Sequence, residues 1–194
     1  WWYYTEKLRK AKYDLNEDAI KPYFSQEDVH NGLCTVVNKL YGITLTPCDS
    51  ISVYNKDVKT YIVKDADGSL LGVFYSDYMP RASKRSGAWM SNFREQQEGV
   101  RPLIYNVASF TKPAGDLPSL LTIDEARTMY HEFGHALHGL LTQCKYKGVS
   151  GTSVAQDFVE LPSQIMEHWA VEPEVLKMYA KHYQTREVIP DSLI

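Results

Sequence analysis

Apolar positions recur along the chain with two periods, and the switch between them divides it. Over residues 1–13 the spacing is helical, with Tyr4, Leu8 and Ala11 on one side and Lys7, Arg9, Lys10 and Lys12 mostly elsewhere. Pro22 ends a second, short helical stretch. Ser25 then stands where a cap belongs, before a helix running through Val29, Leu33, Val36, Val37 and Leu40 to a stop at Gly42. His30 falls on this helix and reads as a lone surface histidine. From Ile43 the pattern alternates, and residues 43–46, 51–54, 60–63 and 70–75 read as strands. The last two flank Asp65-Ala-Asp-Gly68, a strong hairpin signal. Residues 77–86 are polar, with Arg81, Lys84 and Arg85, and read as a loop. Residues 87–93 form a short candidate strand, and 101–110 a better one, mostly apolar. Residues 112–118 lead as a loop into the next helix.

At Thr122 the helical period returns. Ala126, Tyr130, Phe133, Leu137 and Leu140 make an apolar stripe, and Asp124, Thr128, His131, His135, His138 and Thr142 an adjoining polar one. Thr122 and Glu125 are spaced as a capping box that starts the helix, and Gly148 lies past its end. Asp157 and Glu160 repeat that spacing before another helix, with Pro162 confined to its first turn. The resulting class is α+β, mainly helical, with a small, mostly antiparallel sheet. Residues 1–42 are helical, 43–121 sheet and loops, and 122–194 helices again.

With 194 residues and 44% hydrophobic content the chain can bury one good core. A net charge of −3 points to neither nucleic acid nor an anionic membrane as partner. No apolar run reaches transmembrane length. Cys34, Cys48 and Cys144 are widely spaced and odd in number, so buried free thiols in a reducing compartment are expected, the cytoplasm before the periplasm. The opening Trp1-Trp2-Tyr3-Tyr4, with neither an initiator Met nor a signal peptide, reads as an internal cut from a longer protein.

The chemistry lies in His131-Glu-Phe-Gly-His135. Residues four apart share a helix face, so the two imidazoles can close on one ion, with Glu132 beside them. Two histidines holding Zn²⁺ and a carboxylate taking a proton from water is the zinc-peptidase pattern. The blander alternative is a polar patch on a helix face, but these histidines border the core stripe. Zinc needs a third ligand and one open position. Spacing leaves Glu160 divided between ligand and cap, with Glu167, seven residues on and on nearly the same face, as its rival. Asp157 is a candidate to fix the tautomer of a ligating histidine. His138 reads as packed beside the site, and His168 and His182 as surface residues.

His131-Glu-Phe-Gly-His-Ala-Leu-His138, Ser150-Gly-Thr-Ser153 and Asp157-Phe-Val-Glu-Leu-Pro-Ser-Gln164 together resemble the thimet oligopeptidase family of zinc peptidases, most closely its bacterial peptidyl-dipeptidases. The resemblance runs almost end to end, through Lys21-Pro-Tyr-Phe24, Gly87-Ala-Trp-Met-Ser-Asn-Phe93, Arg101-Pro-Leu-Ile-Tyr-Asn-Val107, Thr111-Lys-Pro113, Glu167-His-Trp169 and Tyr179-Ala-Lys-His-Tyr183. It implies ligands at His131, His135 and Glu160 around one Zn²⁺, with Glu132 catalytic; Glu160 follows His135 by 25 residues, as in the family. It also implies a zincin-like catalytic region that hydrolyses short unstructured peptides, releasing C-terminal dipeptides or, as in other branches, cutting internal bonds. Family members are much longer. They carry a Gly- and Tyr-rich loop whose side chains hold the oxyanion, and a large N-terminal helical part, neither of which has a match here. The chain is therefore expected to be a catalytic-region fragment whose partners are the remaining segments of its parent. Such a fragment binds zinc but is slow or inactive alone, since one lost oxyanion donor costs roughly 3–4 kcal/mol. Residues 87–93 are the candidate edge along which a peptide lies as an added strand.

Overall fold

The computed structural model describes residues 1, 3–5, 7–8 and 17–194. The helix expected over residues 1–13 falls largely outside them; residues 3–5 and 7–8 are helical. A single turn, α1 (Glu17–Ile20), runs into a 3₁₀ turn holding Pro22. Helix α2 (Gln26–Tyr41) starts where Ser25 accepts a hydrogen bond from the Asp28 backbone and ends at Gly42 in the left-handed conformation. Its face of Val29, Leu33, Val36 and Val37 is buried, as its spacing requires.

Five strands follow: β1 (Thr44–Pro47), β2 (Lys59–Lys64), β3 (Leu70–Asp77), β4 (Trp89–Arg94) and β5 (Leu103–Val107). Their order in the sheet is β1-β2-β3-β5-β4. The pairs β1–β2, β2–β3 and β4–β5 are antiparallel, whereas β3–β5 is parallel, so the sheet is mixed. Gly68, at φ 84°, closes the β2–β3 hairpin that Asp65-Ala-Asp-Gly68 announces. The strand expected over residues 51–54 does not form; that stretch lies in the long connection between β1 and β2. Its alternation is too short to compete, and the Tyr54 hydroxyl instead donates to Asp77 at 2.8 Å.

Helix α3 (Ile123–Leu141) lies against the sheet, α4 (Leu161–Val171) packs along α3, and α5 (Pro173–Tyr179) packs on α2 and α4. The Thr122–Glu125 capping box is present, with both of its hydrogen bonds. All five residues of the α3 apolar stripe are buried, and Phe133 meets Phe74 of β3 edge-to-face at 5.0 Å. One core joins α2, the sheet and α3 to α5. Among the described residues no helix is long and apolar enough to cross a membrane. The three cysteines are free.

Two histidines differ from expectation. His30 is half-buried: its ring stacks obliquely on Tyr61 at 5.0 Å, its Nε2 lies 3.6 Å from Cys34 Sγ, and burial pushes its pKa down to about 4, with repulsion from Lys59 adding to the shift. His182 is half-buried, its ring stacked on Tyr183 at 5.2 Å and edge-on to Tyr23 at 5.4 Å. His168 is exposed as expected.

Candidate metal centre

Helix α3 places its polar stripe at the border of the core, so His131 and His135 are half-buried with their rings 4.9 Å apart and nearly perpendicular. Glu160, immediately before α4, brings one carboxylate oxygen to both. Its Oε2 lies 3.3 Å from His131 Nε2 and 3.1 Å from His135 Nε2. The three donor atoms fall within 4.8 Å of one another, the single group of its kind among the described residues. Donors held about 2.0–2.1 Å from a tetrahedral zinc sit roughly 3.3 Å apart, so the two Glu160 distances and the donor types fit that ion. Burial lowers the His135 pKa and so favours the neutral ring a metal requires. The Glu160 carboxyl is lowered too, first by a hydrogen bond from Ser163 and then by the two histidines.

Glu132 is buried beside this group. Burial pushes its pKa up to about 7; Glu160 adds to the rise, and His131 and a hydrogen bond from the Met90 backbone oppose it. A carboxyl poised near neutrality can both take and give a proton at physiological pH.

The outer nitrogen of His131 is also engaged: Nδ1 lies 2.6 Å from Glu167 Oε1. A neutral His131 donates from Nδ1 and leaves the Nε2 lone pair facing Glu160 and His135. His138 sits one turn beyond His135, half-buried against Phe158, with its pKa lowered by burial, and lies outside the three-donor group.

The family profile of peptidase family M3 matches residues 1–194. The chain belongs to peptidase family M3. It is 45% identical over 196 residues to the dipeptidyl carboxypeptidase of Escherichia coli K12, covering all of this chain and 29% of that protein. It is 40% identical to oligopeptidase A of the same organism over 198 residues, 99% of this chain and 29% of the relative. An organellar oligopeptidase A of Arabidopsis thaliana is 41% identical over 202 residues, 98% of this chain and 26% of that protein. The chain thus spans less than a third of the length of these relatives.

Within the M3 chain Glu167 takes the place expected of Asp157. Glu167, the rival ligand, lies on the far side of the His131 ring from Glu160. Asp157, the candidate tautomer-fixing partner, is instead exposed in a turn. The Asp157–Glu160 capping box is also absent: α4 begins at Leu161, with Glu160 in the cap position and no side-chain cap. Pro162 sets this start, because proline is accommodated only in the first turn. Sequence reasoning passed over Ser163, whose hydroxyl lies 2.7 Å from Glu160 Oε2; the signal available was a hydroxyl three residues after the candidate ligand.

Proposed function

We propose that this stretch is the zincin-like, zinc-binding part of the catalytic region of a peptidase that hydrolyses short peptides and releases dipeptides from their C-termini. The observation that carries the reading is the meeting of His131 Nε2, His135 Nε2 and Glu160 Oε2 beside the buried Glu132. The three residues would hold Zn²⁺, which when bound supplies Lewis acidity toward a water and a peptide carbonyl. Glu132 takes a proton from the attacking water and passes it to the leaving amine, a double duty that its raised pKa suits. Glu167 holds the His131 ring in the tautomer that turns Nε2 inward. Strand β4 closes one edge of the sheet, along which an extended peptide would pair as an added strand.

Release of dipeptides is favoured by the relative at 45% identity, whose name states that activity. Cutting of internal bonds is the second reading, supported by the oligopeptidases at 40% and 41%. Peptides with a free or an amidated C-terminus separate the two: dipeptide release is expected from the free form alone, whereas internal cutting proceeds on both. Glu132→Gln in the full-length protein should lower turnover about 10²–10⁴-fold with zinc content unchanged. Turnover equal to the parent's would end the assignment of Glu132.

A further inference from the structure

His131 and His135 are placed by the geometry of one helix. Glu160 has no such frame: it precedes α4, and its side chain is 46% exposed. A long carboxylate side chain left free would sample many rotamers. Two residues remove that freedom. Ser163, fully buried, has its hydroxyl 2.7 Å from Glu160 Oε2 and 2.9 Å from the Glu160 carbonyl oxygen. The oxygen it addresses is the one facing both imidazoles. The first turn of α4 can lie so close to α3 because residue 134, between the two histidines, is glycine. A Cβ there would stand 2.5 Å from Ser163 Cα and 2.6 Å from the Pro162 carbonyl oxygen.

We propose that Ser163 and Gly134 are positioning residues for the third metal donor, Gly134 setting the depth at which α4 sits and Ser163 fixing the carboxylate of Glu160 once there. The proposal rests on the reading of His131, His135 and Glu160 as a metal site. Ordinary contact begins near 3.4 Å, so a methyl at position 134 would force a retreat of roughly 0.9 Å. Metal sites tolerate donor distances within about 0.2 Å, so such a retreat is large enough to detach Glu160.

The test is a double-mutant cycle on zinc affinity, measured by competition with a chromogenic chelator, alongside thermal unfolding of the metal-free chain. Ser163→Ala should weaken zinc about 10–100-fold in the parent and by less than about twofold in a Glu160→Ala background, because it acts through that carboxylate. Gly134→Ala should follow the same pattern; should it not fold, the cycle at Ser163 decides alone. An unchanged affinity in Ser163→Ala overturns the proposal. So does an equal loss in both backgrounds, or a loss that only tracks destabilisation of the metal-free chain. A parent that binds no zinc, or binds it as well after Glu160→Ala, overturns the metal reading itself, and the cycle records that outcome separately.

Discussion

Glu167 and Asp157 are both carboxylates within seven residues of Glu160 in sequence, yet Glu167 reaches a histidine, at 2.6 Å from His131 Nδ1, and Asp157 is exposed in a turn. Glu167→Gln should therefore weaken zinc binding about 10–100-fold by chelator competition, with Asp157→Ala leaving it unchanged. Equal effects of the two would contradict the assignment. His131, Glu132 and His135 are legible from sequence because helix geometry alone brings them together. The parts played by Glu167 and Asp157 are not, because side-chain direction depends on where α4 starts, and Pro162 places that start later than the capping pattern suggests. The setting of His30 is hidden from the sequence for a related reason: the ring it packs on, Tyr61 of β2, is remote in sequence. Its consequence is a pH dependence. The unfolded chain protonates this ring near pH 6.5, the folded one near 4, so the unfolded state binds more protons between those values and stability falls as pH drops through them. His30→Leu should show a shallower loss of thermal stability from pH 7 to pH 4.5 than the parent; matching slopes would contradict the assignment.

The elements divide by how local their signals are. Helices α2 and α3 and the β2–β3 hairpin follow from caps, periodicity and one turn. The parallel pairing of β3 with β5 does not, since a crossover leaves no local pattern. The loop between β3 and β4 shows what secures that crossover. Asp77, fully buried at the end of β3, takes two hydrogen bonds of 2.8 Å from Arg81, one of 3.0 Å from Lys84 and one of 2.8 Å from Tyr54. Burial alone would raise its carboxyl pKa, but these partners outweigh it and hold the group below the usual range. The Lys84 side chain is itself only 2% exposed, so Asp77→Ala leaves a buried cation without its counter-charge. A destabilisation of about 3–5 kcal/mol is expected in denaturant titration. A change below about 1 kcal/mol would mean that the loop is held by other contacts.

At the scale of the molecule, the sheet has two unlike faces. One carries Phe74 and Ile104 into the core, and the other carries Phe93, exposed and packed among Tyr105, Tyr75 and Tyr54 at 4.5, 5.2 and 6.0 Å. The core face belongs to the frame that holds α3, and α3 and α4 together bring the three donors into one place. That convergence brings Glu160 to histidines 25 and 29 residues before it, and at the level of sequence it rests on family resemblance, because spacing alone leaves Glu160 between ligand and cap. The decisive measurement is zinc content and affinity of the chain prepared without chelators, compared with Glu160→Ala and His135→Ala. Close to one zinc per chain is expected in the parent, and a sharply weaker site in both variants. Zinc near zero in the parent, or a Glu160→Ala chain that holds zinc as tightly as the parent, would contradict that expectation.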